Sequence, residues 1–186
     1  MALARGSTET RLAILQAADR LVRAEGVAHL TLEAVARAAG VSKGGLLYHF
    51  PSKDALIAGM LGRLLDVFEA DIERQRVADT GPVTGRWLRA YVRASFALPD
   101  EEIAVGSALL AAVATDPELM LPARRRFEAW QDRAAADGVD PAIATVIRLA
   151  ADGQWFADLF GLAPPGGQRR RDVLERLLQL TEGGVL

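Results

Sequence analysis

The sequence contains no cysteine and only two histidines, His29 and His49. Without cysteine the chain forms no disulfide and no cysteine-based zinc site. Two histidines are too few for an ordinary metal site, and neither a P-loop nor a GxGxxG motif occurs. We therefore expect no metal, no cofactor and no enzymatic activity.

The sequence also lacks a long hydrophobic run. No stretch of about 18 uninterrupted apolar residues is present, so we expect no membrane span. The first eight residues are too short and polar for a signal peptide, which favours a soluble cytoplasmic protein. Net charge is only −2. Residues 1–54 carry seven Arg or Lys against five acids, and the remainder carries fifteen against nineteen, so phosphate binding at the N-terminal end is permitted but not established.

Helical periodicity dominates the pattern of hydrophobic residues, which make up 51% of the chain. Strand-like alternation is nearly absent, and Ser or Thr followed two residues later by an acid marks three helix starts. The pattern predicts an all-α protein of about nine helices, with a helix-turn-helix domain over residues 1–52 and a helical bundle over 53–186. Beyond the first domain and a long helix ending near residue 78, the predicted helices are 84–98, 101–115, 117–136, 141–162 and 168–181.

The segment 31–53, TLEAVARAAGVSKGGLLYHFPSK, predicts two short helices joined by a tight turn and the start of a longer one. Thr31 caps the first helix, Gly40 makes the turn and Ser42 caps the second helix. The second helix of such a unit enters the major groove of DNA. Gly44 and Gly45 destabilise a short helix by about 1 kcal/mol each. Close approach of the backbone to DNA explains them, and a frayed helix start is the alternative.

Residues 7–60 resemble the DNA-binding domain of TetR-type transcriptional regulators. The resemblance is carried by LEAVA at 32–36, AGVSKG at 39–44 and YHFPSKDAL at 48–56. It implies base or flanking phosphate contacts for Ser42, Lys43, Gly44 and Gly45, and phosphate contacts for Thr31, Tyr48, His49 and Lys53. Many members carry Tyr where this chain has Leu47. Lys43 is the only long polar side chain on the recognition helix, so DNA shape is expected to contribute to specificity.

The resemblance also implies a pocket for a small apolar or amphipathic effector in the C-terminal bundle. Large side chains there face a helix of small ones, a pattern that either fills a core or leaves a cavity. The candidate lining residues are Trp87, Tyr91, Ser107, Leu110, Met120, Phe127, Trp130 and Gln154.

The last two predicted helices are more apolar than one buried face requires, which is typical of an interface. The resemblance implies a homodimer in which these helices pair with their symmetry mates. The candidate interface residues are Trp155, Phe156, Leu159, Phe160, Leu174, Leu177 and Leu178.

The leading hypothesis is a ligand-responsive repressor that binds double-stranded DNA at a palindromic operator as a homodimer. Two alternatives remain open. One is a helical dimer regulated by a protein partner. The other is a small-molecule-binding bundle without specific operator recognition.

Overall fold

The computed structural model describes residues 6–113 and 117–183. Over these residues the chain forms nine α-helices and no strand, which confirms the predicted all-α class. Two 3-10 turns, Val27–His29 and Pro117–Met120, lie between helices. The helices are α1 (Ser7–Glu25), α2 (Leu32–Ala39), α3 (Lys43–His49), α4 (Lys53–Ala78), α5 (Arg86–Phe96), α6 (Asp100–Val113), α7 (Leu121–Ala135), α8 (Pro141–Phe160) and α9 (Gly167–Leu180).

The chain divides into two compact units, the first formed by residues 1–64 and 104–123 and the second by residues 65–103 and 124–186. The division falls inside α4, between Leu64 and Leu65. A domain boundary at residue 52 remains a prediction. No described helix is long and apolar enough to cross a membrane.

The core of the first unit is built where α1, α2 and α3 meet. Ile14 and Leu15 of α1, Val35 of α2 and Leu46 of α3 are all at most 2% exposed. Asp19 on α1 is also buried and forms an ion pair with Arg63 of α4. The apolar contacts hold the short helices α2 and α3 against α1, because helices of seven or eight residues are not stable alone.

The second unit is organised around α5, which packs against α8 and α9. Neighbouring aromatic rings fill the space beside it, with centroids 5.0 to 5.8 Å apart, and these rings belong to Phe68, Trp87, Tyr91, Phe127 and Trp130. Edge-to-face and tilted pairs of this kind add to the free energy of apolar burial. These five aromatic side chains therefore form one packed cluster beside α5.

One predicted helix differs from the structure. The range 117–136 contains a 3-10 turn at Pro117–Met120, and α7 begins only at Leu121. Pro122 gives the reason, because a proline lacks the N–H that a continuing α-helix needs and is tolerated in a first turn. The predicted helix over 101–115 is α6 as far as Val113, and its last two residues lie outside the described part.

Candidate functional site

Side-chain caps fix both helices of the helix-turn-helix. The Ala34 N–H donates to Thr31 Oγ1 at 3.2 Å, and the Gly45 N–H donates to Ser42 Oγ at 3.0 Å. Between the helices Gly40 lies in the left-handed region at φ +69°, and its N–H donates to the carbonyl of Arg37. The caps satisfy backbone donors that a short helix otherwise leaves unpaired, so the start of α3 is well defined.

The solvent face of α3 carries most of the residues predicted to contact DNA. Leu46 is fully buried and anchors the helix, whereas Ser42, Lys43 and Gly44 are exposed. Tyr48 is 81% exposed, and its ring lies 5.1 Å from that of His49 in an edge-on arrangement. A large aromatic side chain this exposed is surplus to the core and is available to a partner. Leu47, at the position of the expected tyrosine, is half-buried.

Two lysines flank this surface. Lys43 Nζ donates to Glu33 Oε1 at 2.6 Å, joining the first residue of α3 to the first turn of α2. Lys53, the first residue of α4, donates from Nζ to the carbonyl oxygen of Val27 at 3.4 Å. That contact locates Lys53 beside the connection that leads into Thr31. The phosphate contacts predicted for Thr31 and Lys53 therefore come from neighbouring chain segments.

The turn also contains Gly-Val-Ser-Lys-Gly over residues 40–44, which has the spacing of the GxSxG motif of hydrolases. In those enzymes the serine lies on a sharp turn between a strand and a helix. Here Ser42 follows helix α2, and its hydroxyl accepts the Gly45 N–H as a helix cap. The motif is therefore a structural feature of the turn.

A cavity of about 300 Å³ lies within the second unit. Carboxylates from one side of α4 line it, together with two indole rings and two arginines: Asp66, Glu69, Ala70, Ile72, Glu73, Trp87, Arg126, Trp130 and Arg133. Arg126 bridges Asp66 at 2.8 Å and Glu69. The guanidinium of Arg133 lies 5.2 Å from the centroid of the Trp87 ring and 3.8 Å from Glu69. The cavity thus combines apolar walls with charged groups.

Helix α8 presents an apolar stripe to solvent. Val146, Leu149, Phe156 and Phe160 are each between 43% and 54% exposed, and Gly153 lies between them in the sequence. These five positions are spaced alternately three and four residues apart, so they share one face of the helix. The rings of Phe156 and Phe160 pack against each other at 4.7 Å. A Cβ added at Gly153 meets nothing within 4 Å, which leaves room for another backbone.

Comparison with known proteins decides the family. Residues 14–60 match "Bacterial regulatory proteins, tetR family", and residues 85–182 match "Tetracyclin repressor-like, C-terminal domain". The chain belongs to the TetR family. TetR-family proteins are DNA-binding transcriptional regulators and not enzymes, so the helix-turn-helix is a DNA-binding element and the predicted family is confirmed.

Individual relatives agree with the family match. The HTH-type transcriptional regulator EthR of Mycobacterium tuberculosis is 29% identical over an alignment of length 194, which covers 95% of this chain and 88% of EthR. The multidrug binding protein EbrR complexed with ethidium has a TM-score of 0.67 at 26% identity, covering 91% and 98% of the two chains. A regulator from Saccharomonospora viridis in complex with choline shares the fold, with a TM-score of 0.68 at 21% identity over 94% and 96% of the chains.

Only two of the predicted pocket residues of this TetR-family protein, Trp87 and Trp130, line the cavity. Tyr91 is buried and donates from its hydroxyl to Asp152 at 2.5 Å, and Gln154 is buried and donates to Asp158 at 3.1 Å. Phe127 packs on the Trp130 ring and is not among the lining residues. Three others belong to the first unit: Ser107, Leu110 and Met120. Three carboxylates of α4 line the cavity and were not among the predicted pocket residues, although Asp66, Glu69 and Glu73 recur at helical spacing.

The predicted interface residues differ in how exposed they are in a single chain. Phe156 and Phe160 are exposed on the α8 stripe, whereas Leu159 and Leu177 are 6% exposed and contribute to the core of a single chain. Three others are half-buried: Trp155, Leu174 and Leu178. Val146 and Leu149 are also exposed and were not among the candidate interface residues, because total apolar content does not show which side of an amphipathic helix faces the core.

Proposed function

We propose that the protein is a dimeric repressor that binds a palindromic operator and releases it when a small amphipathic effector binds. The observation that carries the proposal is the surface of α3. Buried Leu46 and the Ser42 cap hold this helix in place while Lys43, Gly44 and Tyr48 remain exposed. A short helix that is anchored on one face and exposed to solvent on the other can insert into the major groove.

The proposed DNA contacts fall into two groups, those to phosphates and those to base edges or flanking phosphates. Thr31, Tyr48, His49 and Lys53 position the protein on phosphates, while Ser42, Lys43 and the backbone at Gly44 and Gly45 face base edges or flanking phosphates. With a single long polar side chain on α3, direct reading of bases is sparse. DNA shape and deformability then supply part of the specificity.

A homodimer is proposed to form through the α8 stripe. Exposed apolar residues in a continuous row favour association, and a twofold interface places identical residues against each other. The open space at Gly153 supports close approach of the two α8 helices. Two recognition helices related by this twofold axis then read half-sites about 34–36 Å apart.

The cavity of the second unit is proposed as the effector site. Its tryptophan walls favour an apolar body, and its charged groups favour an amphipathic ligand over a purely apolar one. The complex of EbrR with ethidium supports this ligand class. Helix α4 contributes Asp66, Glu69 and Glu73 to the cavity and begins at Lys53. An effector that binds the protein more tightly in one position of α4 than in another therefore shifts the operator affinity. The size of the shift is set by the difference between the effector's affinities for those two positions.

Selection of bound DNA from a random pool tests the operator. We expect one palindrome to be recovered, and its binding to be lost in a variant carrying Tyr48→Ala and Lys53→Ala. Arg125→Ala is the matched control, since it removes a positive charge from exposed α7 surface. Weak binding that does not depend on sequence contradicts operator recognition and favours a protein partner or a bundle that binds only small molecules.

A second experiment tests induction. Cationic and neutral amphipathic compounds are titrated onto the protein–operator complex, with the Trp130→Ala variant as the comparison. We expect a compound that releases the wild-type protein to act at higher concentration on the variant. Operator affinity that stays unchanged at saturation with every bound compound contradicts the ligand-responsive part of the proposal.

A further inference from the structure

The cavity of the second unit already contains a cation that belongs to the chain itself. The guanidinium carbon of Arg133 lies 5.2 Å from the centroid of the Trp87 ring, and its Nη1 lies 3.8 Å from Glu69 Oε1. All three residues line the cavity. A positive charge is attracted to the face of an aromatic ring, and indole is the strongest partner of this kind. This wall of the cavity is therefore suited to bind cations.

Arg133 is held only weakly at this position. Its side chain is 49% exposed, its ion pair with Glu69 is long, and it makes no hydrogen bond to the residues that the structure describes. Arg126, by contrast, bridges Asp66 and Glu69 closely. Because an exposed ion pair adds little stability, Arg133 can turn into solvent without disturbing the core. Its departure uncovers the Trp87 ring.

The two indole walls of the cavity are fixed by packing. Trp87 and Trp130 are 5% and 1% exposed, and their ring centroids lie 5.2 and 5.8 Å from that of Tyr91. Walls that are already ordered lower the entropic cost of binding a ligand. The volume of about 300 Å³ lies at the lower end of the range for ligand pockets, so the lining suits a small ligand with an apolar body.

The charges of the lining favour a cation once Arg133 has left. Three carboxylates of α4 line the cavity, and two arginines then neutralise them, Arg126 within the lining and Arg76 through its pair with Glu73. One negative charge remains in excess. An anion is repelled by these carboxylates, and an uncharged ligand gains no electrostatic attraction from the face of Trp87.

We propose that the effector site binds a small organic cation with an apolar body, which displaces the Arg133 guanidinium from the Trp87 ring. The inference rests on the proposed function, which places the effector in this cavity. The cost of moving Arg133 into water falls on the cation complex, so Arg133 is a built-in competitor that weakens cation binding. The ligand repays this cost through contacts of its apolar body with Trp130, which Arg133 does not make over Trp87.

Calorimetric titration of the full chain without DNA tests the ligand class. The probes are benzyltrimethylammonium, the uncharged dimethyl benzyl carbinol and the anion phenylacetate, which are similar in size. We expect the cation to bind most tightly. Arg133→Gln should raise affinity for the cation by about tenfold, because an exposed cation–π contact and a weak ion pair no longer have to be broken. Affinity for the carbinol should rise much less.

Two further substitutions separate displacement from a general charge effect. Arg133→Lys keeps the charge but replaces a planar group that stacks on rings with a strongly hydrated ammonium. Displacement predicts a severalfold gain in cation affinity for this variant, whereas charge alone predicts no change. Arg125→Gln is the matched control, since it removes a positive charge from exposed α7 surface and leaves the lining intact. Its cation affinity should equal that of the wild type.

The role of the Trp87 ring is tested without its competitor. In the Arg133→Gln background, Trp87→Phe should weaken cation binding severalfold, because a phenyl ring attracts cations less than an indole does. In the wild-type background the effect should be smaller, because Arg133 and the ligand both lose the indole. NMR follows the displacement directly. The Arg133 side-chain signals should lose the ring-current shift from Trp87 when benzyltrimethylammonium binds.

Four outcomes overturn the inference. They are no cation binding to the wild type or to Arg133→Gln, an equal gain for cation and carbinol in Arg133→Gln, tighter binding of phenylacetate than of the cation, and Arg133 signals that keep their ring-current shift in the complex. The proposed function fails separately. If the cation binds and displaces Arg133 but leaves operator affinity unchanged, the ligand class stands and the ligand-responsive part of the proposed function is contradicted.

Discussion

At the scale of single residues, the two adjacent glycines of α3 conflict with helix stability. A Cβ added at Gly44 meets nothing within 4 Å, whereas one added at Gly45 lies 3.2 Å from the Ser42 Oγ that caps the helix. The fold therefore gives no packing reason for glycine at position 44. The proposed approach of the α3 backbone to DNA supplies a reason outside the chain.

The substitution Gly44→Ala separates stability from binding. We expect the free energy of unfolding to rise by about 0.5–1 kcal/mol, since alanine loses less backbone entropy in a helix. Operator affinity falls at least severalfold, because the added methyl group faces the groove. Urea unfolding and DNA titration measure the two effects. Gly62→Ala on α4 also adds a methyl group in open space and is expected to stabilise without weakening DNA binding.

Asp79 forms a buried ion pair that joins the segment after α4 to α5. Its carboxylate accepts from Arg89 Nε at 2.9 Å and from Arg93 at 2.6 Å, and the Asp79 and Arg89 side chains are each 2% exposed. Arg89 also donates to the carbonyl oxygens of Thr84 and Pro82. The Arg89 hydrogen bond holds the pKa of Asp79 well below its usual range.

Replacing Asp79 with Asn tests this pair through pH. A carboxyl with a depressed folded-state pKa contributes stability above its unfolded pKa, about 3.9, and loses it as pH falls toward the folded value. At pH 7 we expect the variant to unfold more easily by about 3–5 kcal/mol, because Arg89 is left buried without its partner. Chemical denaturation across pH should show a constant gap above about pH 5 that narrows below pH 4. A gap that widens in acid contradicts the assignment.

At the scale of elements, α8 has two different faces. Ala144, Ile147 and Ala151 are fully buried against the rest of their unit, while the α8 stripe of Val146, Leu149, Gly153, Phe156 and Phe160 faces solvent. Burial of the first set stabilises one chain. Burial of the second set requires another molecule.

Phe156→Glu tests the α8 stripe as the dimer interface. Placing a carboxylate at the centre of a twofold interface brings two like charges together without partners, so the dimer should dissociate while the exposed position leaves the monomer folded. Sedimentation measures the mass and circular dichroism the fold. Val77→Glu is the matched control, because Val77 is 72% exposed on α4 and outside the stripe. A variant that remains dimeric places the interface elsewhere.

At the scale of the whole molecule, a twofold dimer holds its two recognition helices at a fixed separation. Tight binding therefore requires operator half-sites with the matching spacing. Inserting about five base pairs between the operator half-sites turns the second one to the opposite face of the duplex. We expect affinity to fall to that of a single half-site, while base changes at the centre that preserve the spacing have smaller effects. Titration of the duplexes by fluorescence anisotropy makes the comparison. Equal affinity for both spacings contradicts reading by a rigid dimer.

Local sequence was sufficient to predict the helix-turn-helix. Caps at Thr31 and Ser42, the turn at Gly40 and the buried Leu46 all act within a few residues, so the predicted bounds of α2 and α3 agree with the structure. The same local rules placed the later helices closely. They failed at Pro117–Met120, because Pro122 lies inside the predicted helix and is tolerated only in the first turn of a helix that begins at Leu121.

Tertiary structure alone decided which side chains are available to partners. Sequence periodicity shows that α8 and α9 are apolar, but only packing shows that Leu159 and Leu177 are buried and that Val146 and Leu149 are exposed. The lining of the cavity by α4 carboxylates and the pairing of Glu33 with Lys43 likewise depend on contacts between helices. Helix formation depends on hydrogen bonds between residues near in sequence, whereas exposure and pairing depend on residues that only the folded chain brings together.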